Sequence, residues 1–260
     1  MHILVTNDDG VFAPGLLALA KELRKIGTVS IVAPDRNWSA SGHVKTLSRP
    51  LRVKEVTLDD GSKALACDGA PSDCVALPLL GLLEKKIDIV VSGINPNANL
   101  GHDVTYSGTV TAAMEAAIWG LPGIAVSLDA PEYNSHGLDY STSARVGALV
   151  AEKVWERKLP EKTLLNVNVP YCTMEALQGF KITKQGLRVY RDELVRREDP
   201  HGRPYYWIGG EAPSGIPEDG TDIGALSEQY VSINPLSLDL TAYDCAQLLS
   251  DWNFSKPTIL

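Results

Sequence analysis

With 260 residues, 44% of them hydrophobic, the chain is long enough to bury one large core, and a net charge of −8 without any Lys/Arg cluster argues against a groove for a nucleic-acid polymer. No apolar run is long enough to span a bilayer as a helix, so no membrane segment is expected. The four cysteines (Cys67, Cys74, Cys172 and Cys245) include no Cys-x-x-Cys and no zinc-type spacing with the five histidines, so they read as reduced thiols of a cytoplasmic protein.

The chain opens on Ile3-Leu4-Val5, a short continuous apolar run that suits a strand buried on both faces. It starts at once, which leaves no room for a signal peptide. Asn7-Asp8-Asp9-Gly10 follows. Two adjacent carboxylates behind a buried strand repel each other and are penalised by burial, and a divalent cation would remove both costs. A polar turn in which Gly10 supplies a positive φ is the plainer alternative. Pro14-Gly15 then opens a helix with Leu16, Leu19, Ala20, Leu23 and Ile26 on one face and Gly27 at its end. Val29 to Ala33 is a second strand, closed by Pro34. The resulting βαβ unit brings the loop from Asp35 to His43, which carries Ser39, to the same sheet edge as Asp8 and Asp9.

Leu51–Val56 and Lys63–Cys67 read as a hairpin around Asp59-Asp60-Gly61, a second acidic pair expected to be solvated. A helix is expected from Cys74 to Glu84, capped by Ser72 or Asp73. The strand Ile87–Val91 runs into a long polar loop containing Asn95, Asn97 and Asn99 and reaching Asp103. Such a path after a parallel strand is where open α/β sheets place ligands. Tyr106-Ser107-Gly108-Thr109 begins a helix to Trp119, and the free amides at its N-terminus suit an anion such as phosphate, although Ser107 or Thr109 as a plain cap is the simpler reading. Ile124–Leu128 is another buried strand. The pattern loosens from Pro131 to Tyr140, a helix covers Thr142 to Lys158, and Leu164–Pro170 is a further strand. From Lys181 to Pro217 alternating strands with Tyr205, Tyr206 and Trp207 look like an arm standing off the sheet. A short helix from Thr221, a strand at Val231–Ile233 and a closing helix from Leu240 to Trp252 complete the chain.

These residues taken in order resemble the SurE family, stationary-phase survival proteins with 5′-nucleotidase activity. The likeness is carried by Asn7-Asp8-Asp9-Gly10, Val32-Ala33-Pro34-Asp35-Arg36-Asn37 with Ser39, Ser92-Gly93-Ile94-Asn95, Tyr106-Ser107-Gly108-Thr109-Val110, Asn166-Val167-Asn168-Val169-Pro170 and Val231-Ser232-Ile233. Each is weak alone, and together they span almost the whole chain. The resemblance implies an α/β fold: a Rossmann-like, mostly parallel sheet flanked by helices. Residues 1–180 form that core, and 181–260 add a hairpin arm, a last strand and a C-terminal helix used in oligomerisation. It further implies hydrolysis of nucleoside 5′-monophosphates, with 3′-nucleotides or short polyphosphate as additional substrates, in a homodimer or homotetramer that exchanges C-terminal segments. One divalent metal per subunit is implied, with Asp8, Asp9, Ser39 and Asn95 as its ligands. Two positions depart from the family pattern: Ala70, where threonine is usual, and Asn97, where glycine is usual and where asparagine best tolerates a positive φ.

The donor chemistry agrees with that implication. Two carboxylates, a hydroxyl and an amide oxygen suit a hard cation such as Mg²⁺ or Mn²⁺ better than zinc. Asp8 and Asp9 are the expected catalytic residues, either one orienting or deprotonating a water. Asn99, Ser107, Gly108, Thr109 and His43 are the expected phosphate- and substrate-binding set, with His43 or His102 as a proton donor to the leaving alkoxide. The chain has neither G-x-G-x-x-G nor G-x-x-x-x-G-K-[ST], so dinucleotide oxidoreductases and P-loop NTPases lack their phosphate cradles here. A metal-dependent nucleotide sensor without turnover is the non-enzymatic alternative.

Overall fold

The computed structural model describes residues 1–131 and 137–252. β1 (His2–Thr6) is buried along its whole length, and its side chains alternate between two cores. Ile3 and Val5 join the cluster built with α1 (Pro14–Leu23) and α4 (Ser141–Arg157). Leu4 joins the one built with α2 (Pro71–Leu77) and α3 (Gly108–Ile118). β5 (Ile89–Asn95) repeats the pattern, with Ile89 and Val91 on one side and Val90 on the other. Both strands carry a continuous apolar run, Ile3 to Val5 and Ile89 to Val91, because helices cover both faces of the sheet. Truncating Leu4 to alanine would open a cavity costing about 2–5 kcal/mol.

Nine strands form the main sheet, in the order β3 (Val53–Thr57), β4 (Lys63–Cys67), β2 (Thr28–Pro34), β1, β5, β6 (Gly123–Asp129), β7 (Thr163–Pro170), β11 (Val231–Ser237) and β8 (Phe180–Ile182). From β4 to β7 every pairing is parallel. β3 lies antiparallel on β4 at one edge, and β11 lies antiparallel on β7 near the other. The chain first builds outward from β1 to β2 and then returns to lay β5 on the other flank of β1. The strand order therefore reverses between β1 and β5, the kind of place where open α/β sheets bind ligands. β9 (Arg188–Glu198) and β10 (Pro204–Gly215) pair only with each other, as a separate antiparallel arm. α5 (Asp222–Ser227) and α6 (Tyr243–Ser250) complete the described elements, and no helix among them is long and apolar enough to cross a membrane.

Several local expectations shift. The helix expected to run from Cys74 to Glu84 begins at Pro71 and gives way at Pro78, which has no N–H to continue the ladder. A wider turn follows, and Gly81 has a φ of +116°. The N-cap is Ala70 and not Ser72 or Asp73, both of which lie inside the helix; Asp73, at the third helical position, accepts the amide of Ala70 at 2.9 Å. The strand expected at Lys181–Thr183 within the arm is instead β8, an edge strand of the main sheet paired parallel to β11. Of the loosened stretch after Pro131, residues 132–136 lie outside the described residues.

Candidate functional site

All the parallel strands end at one sheet edge, so the loops after β1, β2 and β5 converge there. A cavity of about 400 Å³ is lined by Asp8 and Asp9 from the first loop and Asn37, Ser39 and Ala40 from the second. Asn95 to Asn99 come from the third, and Asp103, Tyr106, Ser107 and Arg188 complete the wall. The first loop is shaped locally: Asn7 Nδ2 donates to the Gly10 carbonyl and Asn7 Oδ1 accepts the Gly10 amide, which turns the chain directly after the two carboxylates. The second loop is tied to the first, because the Trp38 amide donates to the Asp8 carbonyl at 2.7 Å.

Asp8 is almost fully buried. Burial pushes its carboxyl above the usual range, while the Thr109 hydroxyl and the amides at the start of α3 oppose the shift. The Thr109 hydroxyl donates to Asp8 Oδ1 at 2.5 Å. Gly108 must be glycine: a Cβ there would stand 2.6 Å from Asp8 Cβ. Asp9 is pushed up to about 7, first by burial and then by the neighbouring charge of Asp8. Its Oδ2 is buried without a hydrogen-bond partner. Two carboxylates in contact with each other's field, one holding an unpartnered buried oxygen, are the condition a cation relieves. Asn95 Nδ2 donates to the Asn97 carbonyl at 2.5 Å, which leaves Asn95 Oδ1 as a free acceptor. With Ser39 these groups form an all-oxygen set that fits a hard divalent ion. Among the described residues no three His, Cys, Asp or Glu side chains cluster as a metal site. The candidate set has only two carboxylates, and its remaining donors are neutral.

The structure gathers Asp8, Asp9, Ser39, Asn95, Asn99 and Ser107 around the cavity. It places three other expected residues differently. Thr109 is fully buried and spends its hydroxyl on Asp8, so it positions that carboxylate and does not line the cavity. The Gly108 amide likewise faces Asp8. His43 is drawn away from the cavity because its Nε2 pairs with Glu115 Oε2 at 3.0 Å. Burial would raise the Glu115 carboxyl, yet hydrogen bonds from His43, Lys45 and Trp119 overcome that and hold it at about 2. This cluster, together with Thr46 on Asp73 and the Thr111 hydroxyl on the Gly42 carbonyl, fastens the segment that follows Ser39 to α2 and α3. His102 is also absent from the lining. Asn97 keeps a negative φ, so its special tolerance for the left-handed region is not used; Ala40, beside Ser39, is the residue that adopts it, with φ +57°.

Asn99 is held from beneath. Its amide donates to Asn168 Oδ1 at 2.8 Å, its Nδ2 donates to Ser127 Oγ at 2.8 Å, and its carbonyl accepts from the side chains of Asn166 and Asn168. Ser107 Oγ caps α3 by accepting the Val110 amide at 3.2 Å, which leaves its O–H available to a ligand. Several lining residues escaped the sequence reading as site residues, Tyr106, Asp103 and Arg188 among them. Asp103 and Arg188 stand 85 residues apart in the chain, and the Arg188 Nε donates to Asp103 Oδ2 at 2.7 Å. The base of the arm that supplies Arg188 is fixed by Asp222, whose carboxylate accepts the amides of Gly101 and Gly186, each at 2.8 Å.

Known proteins share this chain's sequence and fold. The family model for survival protein SurE matches residues 3–192. A protein of Herpetosiphon aurantiacus called 5′-nucleotidase SurE is 55% identical over 255 residues, covering 97% of this chain and 99% of its own length. One of Chloroflexus aggregans with the same name is 53% identical over 254 residues, covering 98% of this chain and all of its own. The crystal structure of the Sure protein from Aquifex aeolicus superposes with a TM-score of 0.81 at 40% identity, over 97% of this chain and 99% of that one. On this agreement of sequence and fold, the chain belongs to the SurE family.

Proposed function

We infer that the protein is a metal-dependent phosphomonoesterase that hydrolyses nucleoside 5′-monophosphates to nucleoside and phosphate. The observation that carries the reading is the buried Asp8–Asp9 pair, with an unpartnered oxygen on Asp9, facing a polar cavity with Ser39 and Asn95. The names of the relatives support the same activity. Asp8, Asp9, Ser39 and Asn95 would hold one divalent cation per subunit, Mg²⁺ or Mn²⁺ by the hardness of the donors, and such an ion supplies charge stabilisation for the phosphoryl oxygens and acidifies water. The protein groups do the rest. The Ser107 hydroxyl donates to a phosphoryl oxygen. Thr109 keeps Asp8 still. Asp9, which has no side-chain hydrogen bond among the described residues, orients the attacking water. Asn99 presents its Oδ1 to the substrate from a fully anchored backbone.

A phosphate-release panel tests the reading: nucleoside 5′- and 3′-monophosphates, an aryl phosphate and polyphosphate, each with Mg²⁺, Mn²⁺ or Zn²⁺ and with a chelator. Release from 5′-nucleotides that the chelator stops is the expected result, and no release under any condition rejects the reading. The four free thiols support a cytoplasmic location. The arm supports a homo-oligomer: Leu194, Trp207 and Ile208 are exposed on a two-stranded element, and such a hairpin needs a surface to pack on. Replacing Tyr206 and Trp207 with serine should lower the oligomeric mass seen by light scattering. A wild type that is monomeric at low concentration would contradict this part.

A further inference from the structure

Three carboxylates line the cavity, yet among the described residues only one cationic side chain does, Arg188. It is the first residue of β9, so the base of the arm delivers it. Its placement is built at several points. Nε donates to one oxygen of Asp103, and the Tyr190 hydroxyl donates to the other at 2.6 Å. The backbones beneath are pressed together at Gly101, where φ is +52° and a Cβ would stand 2.4 Å from the Gly186 carbonyl and 3.0 Å from Arg188 Cγ. Held through Nε, the guanidinium keeps Nη1 and Nη2 without a hydrogen-bond partner among the described residues. The ring of Tyr106, largely exposed, stands at the same cavity.

We propose that Arg188 and Tyr106 form the nucleoside-recognition wall of the site, the Nη donors of Arg188 reading acceptor atoms on a nucleobase edge while the base lies against the Tyr106 ring. This rests on the phosphomonoesterase reading and assigns the half of the substrate that does not react. Asp8, Asp9 and Ser107 already serve the reacting half. A guanidinium has donors and no acceptor, so it matches an edge carrying two acceptors, as O6 and N7 of guanine do, and aromatic faces hold bases by stacking.

The test compares GMP with an aryl phosphate, which offers a phosphoryl group and no base edge, on the full-length protein and its Arg188→Ala, Arg188→Lys and Tyr106→Ala variants. Calorimetry with guanosine and with inorganic phosphate runs in parallel, and melting curves check folding. The ratio of kcat/KM for GMP to that for the aryl phosphate should fall about tenfold or more in Arg188→Ala. Guanosine binding should weaken by more than phosphate binding does. Arg188→Lys should keep the charge without restoring the ratio, because an ammonium lacks the planar fork. An unchanged ratio in all three variants overturns the proposal, as does an equal loss on both substrates, which would make Arg188 a brace for Asp103. Should Arg188→Ala fail to fold, Arg188→Lys and Tyr106→Ala decide. A wild type that hydrolyses neither compound rejects the phosphomonoesterase reading, and guanosine binding still decides the role of Arg188.

Discussion

The tripeptide Asp-Asp-Gly occurs twice in this chain, and the two copies behave oppositely. At Asp8-Asp9-Gly10 it follows a strand covered on both faces, and burial raises both carboxyls, Asp9 to about 7. At Asp59-Asp60-Gly61 it turns an exposed hairpin between β3 and β4. There Asp60 accepts the Ser62 hydroxyl and amide and the Arg24 guanidinium, and its carboxyl drops to about 2. Composition is identical, so the environment alone decides whether the pair invites a cation or simply closes a turn. A short motif carries chemistry only where the fold withholds water and other partners from it.

Activity should separate the two copies most widely. Asp8→Asn and Asp9→Asn each remove a charge that would face the cation, a loss of several kcal/mol of stabilisation, or roughly 10²–10³ in kcat. Asp60→Asn, a surface change, should stay within about twofold of wild type. Steady-state phosphate release from all three variants checks this, and equal losses at Asp9 and Asp60 would erase the contrast.

Stability against pH should separate them next, with opposite signs. Asp9 has a folded pKa above its unfolded value of 3.8, so its contribution is fully present below pH 3.8 and is lost as pH rises toward 7. In metal-free protein the wild type should therefore lose stability relative to Asp9→Asn across that window, by on the order of a few kcal/mol. A divalent cation should remove much of the difference. Asp60 has a lowered folded pKa, so its contribution is present above 3.8 and disappears as pH falls through about 2. Because it is an exposed pair, the wild type should exceed Asp60→Asn by only about 1 kcal/mol at neutral pH. Thermal melts across pH 2–8, read as differences from each variant, measure both slopes. A middle effect is expected from Glu115→Gln. It should weaken the hydrogen bonds fastening the segment after Ser39, cost about 1–3 kcal/mol, and lower the affinity for Mn²⁺.

Most of the sheet was legible because helices on both faces leave a simple trace, the continuous apolar run, at β1, β5 and β6. β8 was assigned to the wrong neighbour since three residues with an exposed Ile182 carry no sign of which sheet they join. At the site, the strand they follow pointed to Asp8 and Asp9, and the family resemblance implied Ser39 and Asn95; all four line the cavity. Side chains whose role depends on a partner far along the chain could not be read. His43 is claimed by Glu115, 72 residues on, and Thr109 by Asp8, 101 residues back. Arg188 emerges only when the base of the arm folds against Asp103. Hydroxyls and imidazoles at a loop suggest a ligand equally well whether they meet one or meet the protein.

The Asp222 carboxylate, fully buried, bridges the amides of Gly101 and Gly186, one between the lining residues Asn99 and Asp103 and the other at the root of the arm. In native-state hydrogen exchange those two amides can trade protons with solvent only when that bridge lets go. Their protection thus reports the free energy of lifting the arm's root from the site, separately from global unfolding. A substrate that settles against Arg188 should slow both exchanges together, whereas one held only by its phosphoryl group should leave them as they are.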